Sequence, residues 1–478
     1  MKLNEIKLTN PYLQLPDECH ARVKPAPLNE AFLIHANESV ADMLGIDKEE
    51  LQSDAFVDFI NGAYQPEGSD TFAMCYAGHQ FGFFVERLGD GRAINIGTLN
   101  GLHMQLKGAG QTKYSRSGDG RAVLRSSIRE YLMSEAMYGL GIETTRALAL
   151  IGSKHSVFRQ EWEKGAIVLR VSPSWIRFGT FEYFAHKKKY KELEALADYA
   201  IAESYPHLID EANKYLHFFT EVVGKTAYLM AQWQAVGFNH GVMNTDNMSI
   251  AGLTIDYGPY AFLDEYDFGY ICNHTDQYGR YSFGSQPNIG EWNLRALMVA
   301  LSPLINSEDM QRVIGHYSRL YTEKYLYLMS KKLGLDMHKD SDLELIKHLL
   351  GVMQGLAVDY TLFLRTLSHY DGERTALLKL GLYHQPMHDW LDSYDERLKE
   401  NSSSMEKRHA DMLQINPKYV LKNYMIQEAI DAAEEGDYSG IENLFKIAQD
   451  PYAEYPEFER WSGVTPDEFK NKKLSCSS

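Results

Sequence analysis

Between residues 81 and 171 short apolar and β-branched runs bounded by glycine alternate with polar positions, so that residues 83–85, 93–96, 103–107 and 166–171 read as strands. Within the same stretch, residues 123–138 carry the 3.6-residue apolar spacing of a helix, closed by Gly139 and Gly141. Beyond about residue 190 helical spacing dominates, over 193–201, 216–236, 310–333, 343–367 and 419–434. A polar, glycine-containing stretch from 239 to 270 interrupts those helices, and loops of that kind carry function. Residues 1–65 mix short apolar runs with Pro11, Pro16, Pro25 and Pro27, which predicts an irregular extension laid on the body. The pattern is α+β: a small mixed lobe followed by a larger, mainly helical one.

Composition narrows the chemistry. The 478 residues include 48 Lys plus Arg against 65 Asp plus Glu, a formal charge of −17. Such a field repels polyanions, so no nucleic-acid partner is expected and any phosphate site must be local. No signal-peptide core follows Met1, and no apolar run of about 18 residues could span a bilayer, so no membrane partner is expected and the cytoplasm is the predicted compartment. Cys19, Cys75, Cys272 and Cys476 are scattered and form no CxxC pair, which argues against a disulfide framework and against zinc.

Several constellations carry chemistry. Gly89-Asp90-Gly91-Arg92 lies between two predicted strands, where glycines let backbone N–H groups approach an anion; taken alone, a plain hairpin turn is the commoner reading of it. Lys107 ends a predicted strand, and Glu130 falls in the apolar stripe of the predicted helix with Val123, Met133 and Met137. A buried carboxylate needs a cation, and the pair resembles the strand lysine and helix glutamate of protein kinases, although a structural salt bridge remains open. After the helix ending near Val236, Asp246 and Asn247 are adjacent and Asp256 follows ten residues later. Oxygen donors of this kind suit Mg²⁺, which completes its shell with water and substrate phosphates. Asp267-Phe268-Gly269 spells the kinase metal-binding tripeptide, yet Asp256 is preferred because it follows a strand-like 253–255 segment. Arg170 and Arg177, with Arg121 and Arg125 near the helix start, supply planar forks for phosphate oxygens.

Taken together, Gly89-Asp90-Gly91-Arg92, Gln105-Leu106-Lys107-Gly108-Ala109-Gly110, Ser117-Gly118-Asp119-Gly120-Arg121, His240-Gly241-Val242-Met243-Asn244-Thr245-Asp246-Asn247 and Asp256-Tyr257-Gly258 resemble the selenoprotein O (SelO) family over nearly the whole chain. The resemblance implies a protein-kinase-like bilobal fold that binds ATP in reversed orientation. It implies transfer of AMP, with release of pyrophosphate, to Ser, Thr or Tyr hydroxyls of proteins, its own included; some bacterial members are credited with UMP transfer from UTP and with manganese in place of magnesium. By position it assigns Gly89, Gly91, Arg92, Lys107, Asp119, Gly120, Arg170 and Arg177 to the nucleotide, Asn247 and Asp256 to Mg²⁺ or Mn²⁺, Asp246 to proton acceptance and Glu130 to the lysine. The expected organisation is an extension over 1–65, an N-lobe over 66–185, a C-lobe over 186–400 and a helical region with a cysteine-containing tail over 401–478. Selenocysteine members carry selenium near the C-terminus, where this chain has Cys476, and a reversible disulfide between Cys476 and Cys272 is one expectation, a free terminal thiol the other. A conventional kinase and a non-catalytic ATP-binding scaffold remain alternatives; against the first, the kinase loop separates its base from its metal-ligand Asn by four residues, whereas Asp246 and Asn247 touch in sequence.

Overall fold

Strand-forming segments, mostly short, supply β1 (His20–Arg22), β2 (Ala31–Ala36), β3 (Phe72–Met74), β4 (Gly78–Gln80), β5 (Phe83–Val85), β6 (Ala93–Leu99), β7 (Leu102–Lys107), β8 (Ala122–Val123), β9 (Arg146–Phe158) and β10 (Trp162–Ser172). A computed structural model describes residues 1–470 apart from 160, 337, 338, 340, 382 and 383. In it the main sheet runs β1-β3-β6-β7-β10-β9-β2, with β8 also paired to β10 and every neighbouring pair antiparallel. β4 and β5 form a separate hairpin. Residues 1–65, expected as an irregular extension, thus build both edges of the sheet, and Pro25 and Pro27 fall in the crossover between those edges, where no ladder N–H is needed. β9 escaped the periodicity reading because its first half, Arg146-Ala147-Leu148-Ala149-Leu150-Ile151, is buried on both faces and shows no alternation.

The sheet separates two cores. On one side Ile94, Ile96, Met104, Leu106, Ile167, Leu169 and Val171 pack with α1 (Glu38–Leu44) and α2 (Asp54–Ile60). On the other lies α3 (Leu124–Gly139), with Ile128, Tyr131, Leu132 and Met133 buried. The same core continues into α4 (Phe178–His186), α5 (Tyr190–Ser204), α6 (Lys214–Val236) and α7 (Gln286–Leu301), joined near the site by the short ladder of β11 (Phe238–Asn239) and β12 (Ala261–Phe262).

The predicted helix over 310–333 is two helices, α8 (Ser307–Ile314) and α9 (Tyr317–Lys332), because Gly315 and His316 intervene. The one predicted over 343–367 also divides, into α10 (Asp342–Leu356) and α11 (Tyr360–Leu367). Ala357 there takes a left-handed φ of 52° and Asp359 accepts from Leu362 N at 3.0 Å as the cap of α11. These pack with α12 (Thr375–Leu378), α13 (Gln385–Leu398) and α14 (Met405–Leu413) around Trp390, Tyr394 and Phe363. The chain then returns through α15 (Asn423–Glu434) and α16 (Ser439–Gln449), which docks on α3 with Phe445 stacked 5.4 Å from Tyr131. The fold is therefore mixed α+β, as expected. Among the described residues no helix is long and apolar enough to cross a membrane.

Candidate active site

Strand alternation builds the floor of the site. With Ile94 and Ile96, Met104 and Leu106, and Ile167 and Leu169 turned to the α1–α2 core, the period of two puts Asn95, Gln105, Lys107 and Arg170 on the opposite face. Asn95 and Arg170 are both register partners of Gln105, so a polar row crosses three strands. Asp90, from the turn before β6, joins it: its Oδ2 accepts from Met74 N at 3.0 Å, Gln105 Nε2 at 3.1 Å and Asn95 Nδ2 at 3.3 Å. Gln105 Oε1 in turn accepts from Arg170. Each member of the row satisfies the next, which is what permits so polar a strip under a sheet.

Above this row the charges close on one another. Lys107 Nζ lies 2.5 Å from Glu130 Oε2, so the strand lysine and helix glutamate do pair. Arg170 Nη1 donates to Glu130 Oε1 at 2.9 Å and to Asp256 Oδ1 at 2.7 Å. Arg177, at the start of α4, donates through Nη1 to Asp256 Oδ2 and to the Asp246 carbonyl at 2.7 Å, with its guanidinium 4.6 Å from the Tyr76 ring centroid. Burial alone would push the Asp256 carboxyl up, but Arg177 and Arg170 hold it well below the ordinary carboxylate range. Glu130 is likewise kept below its usual value by Lys107 and Arg170 against the burial that would raise it. Lys107, Arg170 and Arg177 thus interlock with Glu130, Asp256 and, at 3.9 Å from Arg177 Nη2, Asp90, which gathers three cations at the bottom of an acidic molecule.

The loop after β11 brings the oxygen donors. Buried His240 stacks on Trp233 at 5.2 Å, and its Nε2 lies 2.9 Å from Ile255 O, which ties this loop to the one carrying Asp256. The strand-like reading of 253–255 is corrected: only an isolated bridge from Thr254 to Thr144 forms, and Asp256 sits in a left-handed turn with φ 56°. Asn247 Nδ2 donates to Val242 O at 2.9 Å, which turns its carboxamide. Asp246 is 7% exposed; burial raises its carboxyl to about 7 despite the nearby Arg177. Its Oδ2 accepts from Gln80 Nε2 at 3.3 Å, while Oδ1 has no hydrogen-bond partner among the described residues.

Among the described residues no group of three or more His, Cys, Asp and Glu could hold a metal ion by itself. The set here is different: the carboxamide of Asn247 and the carboxylate of Asp256 are hard oxygens on one cavity, and such a pair fits a divalent ion whose remaining ligands are phosphate oxygens and water.

That cavity, about 610 Å³, is lined by Gly89, Gly91, Arg92, Lys107, Asp119, Gly120, Arg170, Arg177, Asp246, Asn247 and Asp256, so residues up to 167 positions apart in sequence share one wall. Its outer side is the 117–121 loop. Gly120 takes φ +70°, and a Cβ there would stand 2.1 Å from the Gly110 carbonyl, so the loop closes on the Gly108–Gly110 turn only with glycine. Asp119 accepts from both terminal nitrogens of Arg159, at 2.8 and 3.0 Å. Arg121 reaches the cavity, whereas Arg125 turns away to Glu163 at 3.0 Å through Nη2. Asp267 is exposed, accepts from Gly269 N and lies off this cavity. Cys272 is buried behind the loop, its Sγ 2.6 Å from Pro259 O, and Cys476 lies outside the described residues. Sequence reasoning missed Gln80, Gln105 and Arg159. Gln105 had a readable signal, two residues before Lys107 on the same strand face; the other two meet the site only through tertiary contact.

The family model "Protein adenylyltransferase SelO" matches residues 2–449. Among curated relatives, "Protein nucleotidyltransferase YdiU" of Myxococcus xanthus is 45% identical, covering 100% of this chain and 99% of its own. That of Thioalkalivibrio sulfidiphilus is 45% identical over 100% of both chains, and that of Vibrio cholerae 44% over 99% of each. The chain belongs to the protein adenylyltransferase SelO family.

Proposed function

We propose that the chain is a protein nucleotidyltransferase that moves AMP from ATP onto Ser, Thr or Tyr hydroxyls of proteins, its own among them, and that its fold is protein-kinase-like. The observation that carries this reading is the cluster of Lys107, Arg170 and Arg177 facing Asn247, Asp256 and the partly unsatisfied Asp246 across one cavity. The lobe boundaries that go with it are 66–185 and 186–400, with residues 1–65 completing the edges of the N-lobe sheet and 401–478 as an addition.

The acceptor hydroxyl oxygen attacks the α-phosphorus, the bond from that phosphorus to the bridging oxygen breaks, and pyrophosphate leaves with the electron pair. The hydroxyl proton passes to the Asp246 carboxylate, whose unpartnered oxygen can take it once the acceptor is within hydrogen-bond reach. Lys107, Arg170 and Arg177 bind triphosphate oxygens, with Gly89, Gly91 and Arg92 offering backbone and guanidinium donors, and Asp119 and Gly120 in the cavity lining as further nucleotide contacts. Asn247 and Asp256 would hold Mg²⁺ or Mn²⁺, which neutralises phosphate charge when bound. Glu130 keeps Lys107 in place.

ATP labelled at the α- or the γ-phosphate tests the reaction directly. Protein that retains α-label is the expected result; γ-label alone would make the chain a conventional kinase, and neither label with nucleotide binding intact would make it a scaffold. UTP in place of ATP, and Mn²⁺ in place of Mg²⁺, measure the preferred nucleotide and ion in the same assay.

A further inference from the structure

The β4–β5 hairpin touches the 244–246 loop at four successive residues. Gly78 lies so close that a Cβ would stand 2.7 Å from Asp246 Oδ1. His79 N donates to Thr245 Oγ1 at 2.7 Å, Gln80 Nε2 to Asp246 Oδ2 at 3.3 Å, and Phe81 N to Asn244 Oδ1 at 3.4 Å and to the Tyr281 hydroxyl at 2.8 Å. Strand alternation then sorts the hairpin into two faces. Gly78 and Gln80 look at Asp246, whereas His79 turns to Glu182 at 2.5 Å and to the rings of Phe84 and Trp292.

In an antiparallel ladder directly paired residues share a face, with Cβ atoms about 5 Å apart. Phe83 is the register partner of Gln80, so it stands on the Asp246 face, yet it is 78% exposed. An isolated phenyl in water needs no explanation on its own. This one is presented by a turn that is costly to form: Phe81 and Gly82 both take positive φ, 52° and 87°, in a hairpin position that ordinarily selects Asn-Gly. Phe81 is kept there by its N–H bond to Tyr281 and by ring contact at 5.1 Å. A strained turn anchored to the proton acceptor therefore fixes an uncovered aromatic ring one cross-strand step from the residue that touches Asp246.

We infer that Phe83 is a specificity-determining contact for the acceptor protein, covered by an apolar side chain adjacent to the hydroxyl that is modified. The inference rests on the nucleotidyl-transfer reading above, because the acceptor hydroxyl must reach Asp246 and the residues flanking it then pass the Gln80–Phe83 face. The nucleotide has no part in this contact: Phe83 does not line the cationic cavity, although Gln80 does. Burial of one phenyl against an apolar partner is enough to change acceptor affinity by one to two powers of ten.

The test uses the full-length chain with Mg²⁺, α-labelled ATP and a positional-scanning library of synthetic peptides with a central Ser, Thr or Tyr. The wild-type chain is expected to prefer Leu, Ile, Met or Phe beside the hydroxyl. With the best peptide, Phe83→Ala should raise the peptide KM at least tenfold while kcat and the ATP Kd stay within about threefold, and Phe83→Leu should restore most of the affinity. Because Phe83 is exposed, thermal melting of Phe83→Ala should match wild type, which separates lost recognition from lost folding. Labelled peptide with no apolar preference, or a KM unchanged within twofold in Phe83→Ala, overturns the contact and leaves nucleotidyl transfer standing. No α-label on any peptide or protein in the wild-type chain overturns both.

Discussion

Asp256 ties two elements of the site together, since Arg170 and Arg177 both donate to it. Removing its charge in Asp256→Asn leaves two buried guanidiniums without their shared carboxylate, Arg170 keeping Glu130 and Arg177 only the more distant Asp90 as an ion-pair partner. Loss of one partner from a buried cluster costs about 3–5 kcal/mol, so the urea midpoint should fall and Mg²⁺-dependent ATP binding should disappear in titration calorimetry. Asp267→Asn, on an exposed loop off the cavity, should leave both within about twofold of wild type; the reverse result would move the metal site to the literal Asp-Phe-Gly tripeptide. Asp246→Asn is isosteric and should bind ATP nearly normally while α-label transfer drops by about two to four powers of ten, the range for a positioned proton acceptor. The residue types were legible here because each chemistry needs its own donor, but their pairing was not. Arg170 and Asp256 are 86 positions apart and Gln80 and Asp246 are 166 apart.

At the scale of elements, backbone proximity does what side chains alone could not. Gly78 and Gly120 are close-approach positions, one against Asp246 and one against the Gly108–Gly110 turn. Gly120→Ala would have to strain φ +70° and move a Cβ off a carbonyl 2.1 Å away, so the loop must open and the KM for ATP should rise at least tenfold in initial-rate assays, with thermal melting little changed. The strands β6, β7 and β10 and helix α3 were readable locally, the strands as short apolar and β-branched runs bounded by glycine and the helix from its 3.6-residue apolar spacing closed by glycine. The breaks at Gly315–His316 and Ala357 were not, because the apolar spacing runs through both and only the packing of α9 to α14 on their own core decides where the chain turns.

The whole molecule depends on its first residues more than a proline-marked extension would indicate. Leu3, Ile6, Leu8 and Leu28 belong to the core beneath the sheet, and β1 and β2 close its two edges. A chain lacking residues 1–36 would expose that core and two unpaired edges, so size-exclusion chromatography should find aggregate and not a smaller active enzyme. A second global effect arises far from the cavity. Lys332 in α9 is 4% exposed, its ammonium faces Ile415 O at 3.3 Å and Asn416 Oδ1 at 3.5 Å, and burial draws it down to about 7. Between that value and the ordinary lysine pKa near 10.4, the unfolded chain binds the extra proton. The contribution of this site to stability therefore rises with pH across that window, by up to about 1.4 kcal/mol per unit, and its full cost is present below pH 7. Lys332→Met should be more stable than wild type at pH 7 and lose that share of the slope; urea midpoints at pH 7, 8 and 9 that run parallel in the two proteins would refute it.

The amino-acid order by itself determined the mixed α+β class, the strands and helices that carry the site, and the kinds of side chain gathered there, because periodicity, glycine turns and donor chemistry are properties of neighbouring residues. Tertiary structure alone decided that the N-terminal segment forms the sheet edges, that Arg170 and Arg177 converge on Asp256, and that the Gly78–Val85 hairpin sets Gln80 against Asp246 with Phe83 as its cross-strand partner. Those arrangements join segments tens to more than a hundred residues apart, and their partners are chosen by the burial of a common core, which no local window contains.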